Sequence, residues 1–188
     1  MSLNSSVSEG GFLQDQNKVR IYLEVNAREL FSKPELDLGD IKLWDNQGNY
    51  AHGADVKEFS SDVFRGKKVE WKASVDETSE EHHFSIKIEQ IEIIGENCLF
   101  NRVRLPGKKG KVKAEVKEFE GECNSTYAIW FSLWNEVGES VAFRLDPKLR
   151  GSTIVMSYSV RLQNFIRHAP IDQKLKDTLI EAIQSHGN

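Results

Sequence analysis

The sequence predicts a mainly β protein, an antiparallel β-sandwich of Ig-like or jelly-roll-like kind with one amphipathic α-helix at its C-terminal end. Three observations predict it. Val19, Ile21, Leu23 and Val25 alternate with Arg20, Tyr22 and Glu24, the period-two pattern of a half-buried strand. Further short strand patterns follow, separated by Gly, Asn, Asp and Pro, with no βαβ alternation to make a parallel sheet. After Pro170 the period changes: Leu175, Leu179, Ile180 and Ile183 fall at i, i+4, i+5 and i+8, the stripe of an amphipathic helix. The chain thus divides into a polar arm over 1–17, a sandwich over 18–162 and a helical extension over 163–188, packed on the sandwich or on a partner subunit.

The elements follow in order. Ala27 to Phe31 suits a helical turn that Pro34 would end. Ile41 to Trp44 is a short strand, and Asp45-Asn46-Gln47-Gly48-Asn49 a turn, because Asn and Gly tolerate positive φ. Arg65 to Lys68 turns into the strand Val69–Val75. Phe84, Ile86 and Ile88 sit on even positions, but Ile91 and Ile93 on odd ones. A one-residue slip would flip the whole face to solvent, so a β-bulge near Glu89-Gln90, or two short strands, must restore the inward aim. Leu99 to Leu105 suggests a strand closed by Pro106-Gly107. Val112, Ala114 and Val116 alternate with Lys113, Glu115 and Lys117, as in an edge strand that lysines protect from adventitious pairing. Tyr127 to Trp134 is apolar on both faces, which places it centrally or under a cover. Val141, Phe143 and Leu145 form a strand stopped at Asp146-Pro147, and Ile154, Met156, Tyr158 and Val160 a last one.

Composition narrows the function classes. The chain has 188 residues, 39% hydrophobic and 29% charged, an ordinary balance for one domain. The net charge of −4 argues against nucleic acid, which recruits a basic face. No apolar run approaches the roughly 20 residues of a membrane span, and no export signal opens the chain. Asn4-Ser5-Ser6 and Asn124-Ser125-Thr126 match the glycosylation pattern but read as turn residues without such a signal. Two cysteines, Cys98 and Cys123, do not make a disulfide framework; a cytoplasmic setting with both thiols reduced is expected.

Few residues suggest chemistry. Asp76, His82 and His83 are the metal candidates, since carboxylates with imidazoles ligate transition metals. Adjacent strand residues point to opposite faces, however, so His82 and His83 do not share an ion easily, and a solvated hairpin tip is the plainer reading. The Asp45–Asn49 turn lacks the alternating acidic ligands and bidentate Glu of a calcium loop. Lys108, Lys109, Lys111 and Lys113, beside Gly107 and Gly110, read as a hairpin corner with a solvated flank rather than an anion site. No Walker-type loop and no nucleophile turn is present, and no cofactor is expected. Four aromatic residues are the ligand-binding candidates: Trp44 with Tyr50, and Trp130 with Trp134, whose rings could stack on sugars if their face is open. Cover by the C-terminal helix would instead make Trp130 and Trp134 core.

Val69 to Val75 and Tyr127 to Leu149 carry a family resemblance. The chain resembles the bacterial AidA/PixA inclusion-body family, which opens on an alternating strand like Val19–Val25 and carries a Gly-Asp turn before a Trp-bearing strand. Here that stretch is Arg65-Gly66-Lys67-Lys68-Val69-Glu70-Trp71, with Lys67 in place of Asp. The aromatic strand Tyr127-Ala128-Ile129-Trp130-Phe131, the turn Asn135 to Gly138, and Phe143-Arg144-Leu145-Asp146-Pro147 match the later pattern. A characteristic Asp near the first strand is Asn26 or absent, and the extension from Ser152 departs from the pattern. The resemblance implies a cytoplasmic bacterial sandwich that self-associates, and it names no catalytic residue. The expected function is therefore non-enzymatic, by binding or self-association: a homo-oligomer through the C-terminal helix, or a carbohydrate- or small-ligand-binding module using exposed aromatics, with no nucleic-acid and no membrane partner.

Overall fold

The computed structural model describes residues 18–33, 35, 37–76, 83–152, 166–167 and 172–186, with side chains through 182 in the last segment. Among the described residues there are eleven strands: β1 Lys18–Val25, β2 Ile41–Asp45, β3 Tyr50–His52, β4 Ser60–Phe64, β5 Lys68–Val75, β6 Ser85–Ile94, β7 Arg104–Pro106, β8 Lys111–Glu115, β9 Cys123–Trp134, β10 Ser140–Leu145 and β11 Lys148–Ser152. Helix α1 covers Ala27–Ser32 and α2 covers Gln173–His186. One sheet runs β3-β2-β1-β5-β8, the other β4-β11-β9-β6-β7 with β10 also paired to β9.

The two sheets share one apolar core, so the arrangement is sandwich-like. Odd residues of β1 and β9 meet there, with Trp71, Tyr127, Phe131 and Leu133 at 0–1% exposure. Trp71 lies 6.0 Å from the Phe100 ring and 5.8 Å from that of Tyr127, edge-on distances that aromatic quadrupoles favour. The expectation of a wholly antiparallel sandwich is corrected, because each sheet is mixed. β1 pairs β5 in parallel, and β4 pairs β11 in parallel. Neither parallel pair can be joined by a tight turn, so local sequence does not announce it.

The phase change in β6 is a bulge. Ile88 pairs with Phe131 and Gln90 with Trp130, leaving Glu89 as the extra residue. Ile88, Ile91 and Ile93 are all buried as a result. β8 is an edge strand and β9 is flanked on both sides, as their patterns required. Asn26 caps α1, its side chain accepting from the Glu29 amide at 3.2 Å.

Other expectations change. Leu99 to Leu105 is a strand only in β7; Leu99 and Phe100 are buried in the preceding loop. β3 and β4, unread in the sequence, fill 50–64 around a 3-10 turn at Gly53–Glu58. The chain also resumes as β11 directly after Pro147. The strand expected at Ile154 to Val160 lies outside the described residues. Cys98 and Cys123 are disulfide-bonded, with Cα atoms 6.0 Å apart, which overturns the expectation of two reduced thiols. The bridge spans 25 positions and ties the Leu99–Phe100 loop to β9. Among the described residues no helix is long and apolar enough to cross a membrane.

Candidate functional site

The four aromatic candidates lie on the outer faces of the two sheets. On β9, Trp130 and Trp134 are half-buried, and both indoles are engaged by the protein itself. Trp130 Nε1 donates to Glu92 at 3.1 Å, and Trp134 Nε1 to Ser132 Oγ at 2.9 Å. Arg144 lies 5.4 Å over the Trp130 ring and Lys87 4.6 Å over that of Trp134, the geometry of cation–π contacts. The Arg104 guanidinium and the Trp130 N–H hold the Glu92 carboxyl below its usual range. In α2, Leu175 and Leu179 are 46% and 38% exposed.

Trp44 and Tyr50 stand differently. The register places Tyr50 opposite Trp44, Trp44 opposite Tyr22, Tyr22 opposite Lys72, and Lys72 opposite Lys111. One row therefore crosses the outer face of all five strands. Tyr22 and Trp44 stack at 5.3 Å and 11°. The two tyrosine hydroxyls and the Trp44 N–H have no hydrogen-bond partner among the described residues, and Tyr50 is 46% exposed. Beside the row, Glu70 is 2% exposed although it points outward, because long cationic side chains fold over it. Lys18 contacts it directly, Lys113 lies at 3.3 Å, Arg20 at 3.7 Å and Lys72 at 3.8 Å. Burial opposes its ionisation, yet Lys18 and Lys113 outweigh that and hold the carboxyl below the usual range.

The metal candidates are not brought together. Asp76 accepts from Lys42 Nζ at 2.7 Å, and the same ammonium reaches Glu24 at 2.9 Å, so a lysine stands where a cation would. Asp76 and Glu24 push the Lys42 pKa up. His83 contacts Glu136, and His82 lies outside the described residues. Among the described residues no three His, Cys, Asp or Glu are arranged around an ion position. Asp45 is 5% exposed and serves its own turn. It accepts from the amides of Gln47 and Asn49, from Asn49 Nδ2 and from Ser61 Oγ, while burial raises its pKa.

The basic hairpin borders a groove. A groove of about 880 Å³ opens along the side of the molecule where β7 and β8 end the two sheets. Phe100, Leu105 and Ala114 supply its apolar lining, and Arg102, Lys108, Lys109, Lys111 and Lys113 its charge. Glu115 is the one carboxylate among the described lining residues. Among the described residues Arg102, Lys108, Lys109 and Lys111 have no carboxylate partner. The turn joining β7 to β8 is a two-residue hairpin: Lys108 N donates to Lys111 O at 2.8 Å, and Lys109 and Gly110 take φ of 55° and 72°. Such primed turns want Asn-Gly or Gly-Gly; a lysine at positive φ is a strained choice. Gly107 anchors the turn against the bulge, its amide donating to Glu89 O at 2.6 Å. A Cβ there would stand 2.1 Å from Ile88 O, so only glycine fits. The lysines were visible in sequence. The groove was not, because it needs Arg102 and Phe100, which lie in a loop read as strand.

In fold, this chain is similar to a PixA inclusion body protein. That crystal structure, from Burkholderia cenocepacia, superposes with a TM-score of 0.52 at 9% identity, covering 72% of this chain and 96% of the other. The likeness is one of fold, and it agrees with the AidA/PixA resemblance seen in the motifs. No family model matches the sequence, and no curated protein matches it.

Proposed function

We propose that this chain is a non-enzymatic binding protein that takes an anionic ligand in the groove between β7 and β8. One observation carries the proposal: four cations that have no carboxylate partner among the described residues line a groove of about 880 Å³ in a chain whose net charge is −4. Unpaired cations gathered on an acidic protein repel one another, and a bound anion relieves that repulsion. The strained lysine at position 109 supports the same reading, since an asparagine would serve the turn better. Calorimetric titration with inorganic pyrophosphate at low salt tests it. Binding that weakens as salt rises and falls at least tenfold in the Lys109→Ala/Lys111→Ala variant supports it; absence of heat at low salt refutes it.

Self-association is a second reading, favoured by the exposed Leu175 and Leu179 on α2 and by the name of the similar PixA protein. Sedimentation tests it: a Leu175→Glu/Leu179→Glu variant should be the smaller species, and equal sizes would exclude the helix as the interface. For compartment, the Cys98–Cys123 bridge supports an oxidising one, where disulfides persist, over the cytoplasm.

A further inference from the structure

We propose that the anionic ligand is an acidic polysaccharide, whose chain leaves the groove at Lys111 and crosses the outer face of the five-stranded sheet along Lys72, Tyr22, Trp44 and Tyr50. This rests on the groove as an anion site and extends it. The cross-strand register makes the row continuous from the groove to the far edge. At a strand spacing of about 4.8 Å, its four steps span about 19 Å, the reach of a short oligosaccharide rather than of a single small anion. The chemistry changes along the row. Lys111 and Lys72 offer charge for carboxylates or sulfates; Tyr22, Trp44 and Tyr50 offer hydroxyl and N–H groups that no described residue uses, matched to sugar hydroxyls. Tyr50, 46% exposed at the outer strand, adds an apolar ring against which a sugar can rest.

The same observations disfavour single-stranded nucleic acid. Base stacking needs open aromatic faces, and Tyr22 and Trp44 cover each other at 5.3 Å. The second tryptophan pair is the weaker platform, because Glu92 and Ser132 take both indole N–H groups.

The full chain is titrated with oligouronates of two, four and six units, with inorganic pyrophosphate and with a single-stranded oligonucleotide. Affinity is expected to rise at least tenfold from the dimer to the hexamer. Tyr50→Ala and Tyr50→Phe should lose several-fold affinity for the hexamer and none for pyrophosphate; Tyr50 is exposed, so both variants fold. Pyrophosphate binding with no length dependence, or with a hexamer affinity indifferent to Tyr50, overturns the polysaccharide path and leaves the groove standing. Oligonucleotide binding tighter than the hexamer overturns the ligand class. Failure of every ligand, pyrophosphate included, overturns both.

Discussion

Replacing Lys109 by asparagine should make the protein more stable and a poorer binder at once. Lys109 holds φ at 55° in the two-residue turn between β7 and β8, followed by Gly110 at 72°. A non-glycine side chain at positive φ costs about 1–2 kcal/mol, because Cβ crowds the following carbonyl. Asparagine recovers part of that by local hydrogen bonding, so a gain of about 0.5–1 kcal/mol is expected. For a chain of this length that raises Tm by about 1–4 °C. The ammonium is lost in the same change. One charge-assisted contact at a partly exposed site is worth about 0.7–1.4 kcal/mol, a threefold to tenfold weaker pyrophosphate affinity. Lys109→Ala separates the effects: it removes the charge and keeps the unfavourable φ, so it should lose the affinity without gaining stability. Thermal melts and calorimetric titrations of the three proteins read both quantities. An asparagine variant that melts no higher than the parent refutes the strain, and one that binds equally well refutes the role of Lys109.

Four further outcomes follow from the fold. Gly107→Ala would bring Cβ to 2.1 Å from Ile88 O and 2.8 Å from Glu89 O; both are backbone atoms, so a loss of about 3 kcal/mol in chemical denaturation is expected, and a neutral result would contradict the packing of the hairpin on the bulge. Glu70→Gln leaves Lys18, Arg20, Lys72 and Lys113 without their shared carboxylate. It should cost about 1–3 kcal/mol and tighten anion binding; an unchanged affinity would separate that sheet face from the groove. Because the folded state holds the Glu70 pKa below its unfolded value, its contribution is present above the ordinary carboxylate range and is lost as pH falls through the depressed value. The parent's stability should therefore drop on acidification more than that of Glu70→Gln, as paired denaturation curves would read. Reducing Cys98–Cys123 opens a loop of 25 positions, a loss of about 3–4 kcal/mol on the chain-entropy account. A thiol titration finding two free thiols in the untreated protein would remove the bridge.

What the sequence made legible was local. Period-two alternation identified β1, β5 and the edge strand β8, and the parity change from Ile88 to Ile91 called for a bulge near Glu89-Gln90 or a break into two strands, since a buried face forbids slippage; the register settles on the bulge. What it hid was non-local. β4 does not alternate: Ser61 and Asp62 are buried there beside Val63 and Phe64. Asp62 is buried because Arg150 pairs with it through two contacts from β11, 88 residues away. The parallel pairs escaped for the same reason. Leu99 and Phe100 looked like a strand because burial in a loop leaves the same apolar imprint. The aromatic row had a similar fate. Trp44 and Tyr50 were visible as a pair, but Tyr22, Lys72 and Lys111 join them only through the strand order.

The most direct test follows backbone amide chemical shifts while pyrophosphate is added. The largest, saturable changes are expected on Arg102, Gly107, Lys109, Gly110 and Lys111, with Trp130, Trp134 and α2 little moved. Largest changes on the Trp130–Trp134 face, or shifts scattered over every exposed lysine without saturation, would contradict an anion site between β7 and β8.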